Sequence, residues 1–144
     1  MKSRIFETHS EDETIALGEM LAREIPNQAT VLLIGNLGAG KTTIAKGFVK
    51  GRGGADPDEV SSPTYTLIHE YGPGVYHIDL YRLDEVHQVR NLGLDEIFDR
   101  DALVLVEWGE RFPDLMPEVR WEVRLEPTGE DRRRISVSAP DVNP

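Results

Sequence analysis

No cysteine occurs among the 144 residues, which excludes disulfides and thiolate metal sites together. Long apolar runs are missing too. None approaches the roughly 18 residues of a membrane-spanning helix, and the N-terminus lacks the apolar core of a secretory signal. The expectation is a cytoplasmic protein with no membrane contact. Positive charge is scarce, with 16 Lys and Arg against 26 Asp and Glu and a net charge of −10. So acidic a chain has no diffuse attraction for nucleic-acid backbones or anionic membranes, and any RNA would be held by partners. Repeats and low-complexity tracts are absent. A hydrophobic content of 39% in this length suits one globular domain, residues 1–144, with the last five residues frayed.

What is present is a loop. Residues 35–42 read Gly-Asn-Leu-Gly-Ala-Gly-Lys-Thr, a full match to G-x-x-x-x-G-K-[ST], and the apolar run Val31-Leu32-Leu33-Ile34 leads directly into it. A triphosphate is densely anionic, and backbone N–H groups that curl inward bind it without burying a counter-charge. Gly35, Gly38 and Gly40 permit that curl and a close approach to phosphate. Asn36, Leu37 and Ala39 complete the loop; Lys41 would meet the β- and γ-phosphates, Thr42 would ligate Mg²⁺, and Thr43 would add a phosphate contact. Residues 42–49 then carry helix formers, so the loop would open onto a helix N-terminus. The Asn-Lys-x-Asp guanine-reading pattern occurs nowhere, which favours ATP.

The rest of the chain alternates elements. Ser10-Glu11-Asp12-Glu13 is a capping-box pattern, and Ile15, Leu17, Leu21 and Ile25 predict an amphipathic helix ending before Pro26. Residues 52–57 form a Gly/Pro-rich break. Residues 64–71 and 75–80 predict a hairpin around Gly72-Pro73-Gly74, and residues 83–98 two short helices divided at Gly93. Ala102 to Val106 predicts a strand buried on both faces. Residues 120–125 and 134–138 predict two last strands, with a turn at Pro127-Thr128-Gly129-Glu130. The fold class is α/β: a small P-loop NTPase-like domain with a mixed central sheet flanked by helices.

Glu107 ends the run Leu103 to Val106, at the edge where open α/β sheets bind ligands, and is the second candidate for Mg²⁺. Trp108 beside it is read from the residues alone as core. In His77-Ile78-Asp79-Leu80-Tyr81-Arg82 the alternation puts His77, Asp79 and Tyr81 on one face, a dense polar face for a core. Asp79 is a candidate to orient the attacking water or a metal-bound water and Arg82 to meet γ-phosphate charge, whereas His77 reads as a hydrogen-bonded structural imidazole. Ser62 and Thr64, in the hydroxyl-rich Ser61–Thr66, are candidates for sensing the γ-phosphate, against an ordinary turn. Arg132-Arg133-Arg134, preceded by Glu130 and Asp131, reads as a solvated turn, with RNA contact as the alternative.

Four motifs then occur in one order: residues 35–43, Ser-Ser-Pro-Thr-Tyr-Thr-Leu at 61–67, His-Ile-Asp-Leu-Tyr-Arg at 77–82 and Val-Glu-Trp at 106–108. Together, across residues 8–125, they closely resemble the bacterial TsaE (YjeE) family of small P-loop ATPases of tRNA threonylcarbamoyladenosine synthesis. The resemblance implies an ATPase, slow alone, supporting the partners TsaD and TsaB as they modify adenosine 37 of tRNAs reading ANN codons. It implies that Lys41 and the loop bind phosphate, Thr42 and Glu107 serve Mg²⁺, Asp79 is required for turnover, and Trp108 stands beside the site. Two other classes stay open: a small-molecule kinase with Asp79 as base and Arg82 or Arg90 on phosphates, and a nonhydrolysing nucleotide-gated adaptor.

Overall fold

The computed structural model describes residues 2–53 and 67–141. Seven strands form one mixed sheet: β1 (Lys2–Thr8), β2 (Ala29–Ile34), β3 (Ile68–Tyr71), β4 (Val75–Asp79), β5 (Leu103–Glu107), β6 (Trp121–Gly129) and β7 (Arg132–Ala139). Their spatial order is β1-β7-β6-β2-β5-β4-β3. The four central strands β6, β2, β5 and β4 run parallel, while β1, β7 and β3 pair antiparallel at the two sides. Among the described residues four α-helices accompany them: α1 (Glu11–Glu24), α2 (Lys41–Gly51), α3 (Val86–Arg90) and α4 (Leu94–Phe98).

The central strands have the sequence that a doubly covered sheet requires. Leu103-Val104-Leu105-Val106 is buried along its whole length, as is Val31 to Ile34. One core, containing Leu21, Ile44, Phe48 and Leu105, lies under α1 and α2; the other, containing Ile78, Val89, Leu94 and Val104, lies under α3 and α4. Helices α1 and α2 pack so closely that a Cβ on Gly47 would stand 2.1 Å from the Ile15 carbonyl oxygen. The Arg52 guanidinium locks the end of this pair. It donates to the carbonyls of Ala22, Ile25, Pro26 and Asn27 at 2.8–3.4 Å.

Several expectations hold and others shift. Helix α1 starts at an N-cap, with the Ser10 hydroxyl accepting from the Glu13 N–H at 3.1 Å, but Glu13 reaches back to the His9 N–H, one residue before the cap. The hairpin around residues 72–74 and the pair of short helices divided at Gly93 are both present. Strand β1 was not expected. It is an edge strand with Ile5 67% exposed, so its sequence carries no strong alternation. The final hairpin is also longer than expected, its turn falling at Glu130-Asp131, with a register shift between Pro127 and Gly129. Beyond Arg124, β6 has left its β2 neighbour, and a proline is accommodated there without breaking a ladder on that side.

Candidate functional site

Parallel register brings the site together. Asp79 on β4 pairs with Glu107 on β5, and Glu107 pairs with Leu33 on β2, so three adjacent strands end at one edge of the sheet. There the chain leaves β2 into the glycine loop. Gly40 takes φ 105° and Gly38 φ 79°, conformations closed to most side chains, and Gly40 caps α2. At Gly35 the constraint is space, since a Cβ would lie 2.8 Å from the Leu125 carbonyl oxygen.

A pocket of about 380 Å³ opens over this edge, lined by the glycine loop and by Lys41, Thr42, Thr43, Asp79, Arg82, Glu107 and Trp108, among others. Lys41 is 5% exposed, and among the described residues its Nζ has no hydrogen-bond partner. It stands 4.0 Å from Glu107 Oε1 and 3.7 Å from the centre of the Trp108 ring. Burial pulls its ammonium below the usual lysine range, against the attraction of Glu107, Glu110 and Asp79. Asp79 is 9% exposed and accepts from the Tyr81 N–H at 2.9 Å. Burial raises its carboxyl above the ordinary value, and the neighbouring Glu107 charge adds to the rise; the Tyr81 N–H opposes it. Glu107 is 4% exposed and accepts a hydrogen bond from His77 Nε2 at 2.5 Å.

Trp108 does two things: it packs against the second core and it lines the pocket. Its φ of 66° turns the chain out of β5 into the short helix Gly109–Arg111, where a side chain on Gly109 would meet Met116 Sδ at 2.8 Å. The Arg111 guanidinium lies 4.6 Å from the Trp108 ring and donates to the Tyr81 carbonyl at 2.8 Å.

The residues singled out from sequence fall into three groups. Most of the loop, with Asp79, Arg82, Glu107 and Trp108, surrounds one pocket. Arg90 does not join them; it borders a separate hollow with Val89, Leu94 and Leu115. Ser62 and Thr64 lie outside the described residues. Of the dense polar face, His77 and Asp79 are buried on β4, with His77 facing Glu107, while Tyr81 lies beyond the strand and is 41% exposed.

Arg133 is the residue that sequence reading missed. Residues 132–134 belong to β7, not to a turn, and while Arg132 and Arg134 are exposed, Arg133 crosses to the glycine loop. Its Nε would lie 2.8 Å from a Cβ on Gly40 and has no hydrogen-bond partner among the described residues, while its Nη1 donates to the Arg132 carbonyl at 3.1 Å. The signal available was alternation: Arg133, Ile135 and Val137 share one face of β7, and the latter two are core.

The arrangement is a lined anion cradle: backbone N–H groups at a helix start, one buried ammonium with no hydrogen-bond partner among the described residues, and two carboxylates near it. Comparison with known proteins agrees with it. The family model described as "Threonylcarbamoyl adenosine biosynthesis protein TsaE" matches residues 8–135. The chain is 37% identical over 142 residues to the tRNA threonylcarbamoyladenosine biosynthesis protein TsaE of Bacillus subtilis, covering 96% of this chain and 87% of that protein. To the protein of the same name in Haemophilus influenzae it is 39% identical over 112 residues, 76% of this chain and 69% of that one. The crystal structure of Bacillus subtilis YdiB superposes with a TM-score of 0.78 at 32% identity, over 96% of this chain and 86% of that one. The chain therefore belongs to the TsaE family, the nucleotide-binding P-loop proteins of tRNA threonylcarbamoyladenosine biosynthesis.

Proposed function

We propose that the chain is a Mg²⁺-dependent ATPase whose cycle of binding and hydrolysis serves the partners TsaD and TsaB in modifying position 37 of tRNAs that read ANN codons. The observation that carries this reading is Lys41: a buried ammonium without a hydrogen-bond partner among the described residues, at the start of a helix and inside a glycine loop. A desolvated ammonium whose N–H donors are unused is costly unless a ligand completes it, and a phosphate does so.

The residues fit the metal. The Thr42 hydroxyl and Glu107 carboxylate are hard oxygen donors in the same pocket, the set that Mg²⁺ takes alongside phosphate oxygens and water. Among the described residues no cluster of three or more acidic or histidine side chains could hold a metal by itself, which suits a cation that arrives with the nucleotide. When bound, Mg²⁺ would neutralise charge on the β- and γ-phosphates. The chain's own contributions are separate. Lys41 supplies a point charge to the phosphates, and the loop N–H groups fix their position. Asp79, with its raised carboxyl, accepts a hydrogen bond from the attacking water and orients it. Arg82 meets charge that develops on the γ-phosphate. Cytoplasmic location accords with this role, and no helix among the described residues is long and apolar enough to cross a membrane.

The test is ATP hydrolysis by the pure protein, alone and with TsaD and TsaB, with Glu107→Ala as control. Stimulation by the pair that is lost in the variant is expected. Equal rates with and without the pair, or transfer of labelled phosphate to a metabolite, would overturn the reading in favour of a kinase. Support of tRNA modification by Glu107→Ala but not by Lys41→Ala would replace it with the adaptor.

A further inference from the structure

His77 is fully buried in the middle of β4, beside Leu105 of β5 on one side and His69 of β3 on the other. An imidazole at such a position needs a reason, because an apolar side chain of similar size would fill the space without a polar group to satisfy. Its ring lies 6.4 Å from that of Tyr71, at 39°. Its Nδ1 has no hydrogen-bond partner among the described residues. The polar capacity of the ring is therefore directed at one atom, Oε2 of Glu107 at 2.5 Å. An ionised carboxylate only accepts, so the proton of this hydrogen bond sits on Nε2.

The other oxygen of Glu107 faces a different way. Oε1 is the atom 4.0 Å from Lys41 Nζ, on the pocket side. Oε2 is tied to an imidazole that is itself buried in the sheet, so a swing of the carboxylate or an exchange of its two oxygens would break that hydrogen bond.

We propose that His77 is a positioning residue for the cation site: by holding Oε2 of Glu107 it presents Oε1 alone to the divalent cation of the bound nucleotide. The inference rests on the metal–nucleotide reading above. Mg²⁺ demands near-ideal octahedral geometry, so a carboxylate with its rotation fixed in advance binds it with less loss of freedom than one left to swing. Partners that orient a ligating group are typically worth 10–100-fold in metal affinity.

The probe is Mn²⁺, followed by electron paramagnetic resonance on protein saturated with a nonhydrolysable ATP analogue. His77→Phe keeps a ring of similar size and removes the donor. His77→Gln places an amide N–H near the position of Nε2, and His77→Asn is too short to reach it. The expected result is Mn²⁺ affinity reduced about tenfold or more by Phe and Asn and largely restored by Gln. Affinity for the analogue in excess EDTA should stay within about twofold of wild type in every variant that folds, a readout that general damage to the pocket would move. In a Glu107→Ala background the His77 substitutions should have no further effect on Mn²⁺. Wild-type Mn²⁺ affinity in the Phe or Asn variant, or a Gln variant as weak as Asn, would overturn the positioning role while leaving the metal–nucleotide reading intact. If the Phe variant does not fold, the contrast between Gln and Asn decides alone. Failure of the wild-type complex itself to bind Mn²⁺ would overturn the reading beneath it, and this inference with it.

Discussion

Replacing Asp79 by asparagine should make the protein more stable at neutral pH and much slower, and the two effects have one origin. The side chain is 9% exposed, and its carboxylate accepts one N–H, from Tyr81, with no cation in hydrogen-bond contact among the described residues. Asparagine keeps the shape and that acceptor while removing a poorly compensated charge. The sign follows from the raised carboxyl. A folded-state value above the ordinary 3.8 means that the native state holds the proton more tightly than the unfolded chain. Folding stability therefore falls as pH rises from 3.8 through the raised value, and the full penalty applies above it.

The variant escapes that penalty. Its advantage should be absent at the acid end, open as pH climbs and reach a plateau near neutrality of about 1 kcal/mol, the size usually gained by relieving a functional site. Lys41 trims the gain slightly, since Asp79 is the weakest of the three carboxylates that attract it. Turnover should fall about 100-fold or more, as for loss of a group that handles a proton or orients water. Urea unfolding across a pH series, followed by tryptophan fluorescence and paired with ATP hydrolysis, measures both. An Asp79→Asn protein less stable than wild type at pH 7, or an advantage that widens as pH falls, would refute the reasoning.

Two further outcomes test single contacts. Arg133→Ala should weaken ATP binding about tenfold, the worth of one charge-assisted hydrogen bond, with little change in unfolding midpoint; calorimetry showing unchanged affinity would reduce Arg133 to a cover over Gly40. Arg52→Ala strips a guanidinium from four carbonyls and should cost about 2–3 kcal/mol in urea unfolding; a loss under about 0.5 kcal/mol would mean that water satisfies those carbonyls equally well.

How far the site could be read from sequence depends on what placed each residue. The glycine loop and Lys41 are local: strand, curl and helix start lie within a dozen residues, and spacing alone identifies them. Glu107 and Asp79 needed only one inference beyond that, that buried strands run parallel and end at a common edge, and the register of Asp79 on Glu107 agrees. Arg133 needed much more. Its approach to Gly40 depends on β7 pairing with β6 and β1 and on β6 lying beside β2, contacts that reach from Lys2 to Ala139, almost the whole length of the chain. Charge context favoured a solvated turn because Arg132 and Arg134 are indeed exposed, and only one residue in the triplet points inward. Strand β1 failed for a related reason: an edge strand with one open face has little hydrophobic periodicity to detect.

Trp108 shows why the ligand-binding groups stay apart until needed. Lys41 and Glu107 carry opposite charge in a buried site, yet their closest atoms are 4.0 Å apart, longer than a direct hydrogen bond. Had they closed on one another, the ammonium would be spent on a carboxylate and a phosphate would have to break that pair. Two contacts oppose the closure. His77 holds one oxygen of Glu107, and the Trp108 ring offers Lys41 a face at 3.7 Å, an attraction that satisfies part of its charge without taking up a proton donor. That ring is over Lys41 because residue 108 adopts φ 66°, a conformation unfavourable for a bulky side chain and held there by Arg111 and the tight packing at Gly109. The local strain at Trp108 and the buried imidazole at His77 thus serve one end on the proposed reading: they keep the Lys41 donors available, so that nucleotide phosphate displaces a ring face instead of a hydrogen-bonded ion pair.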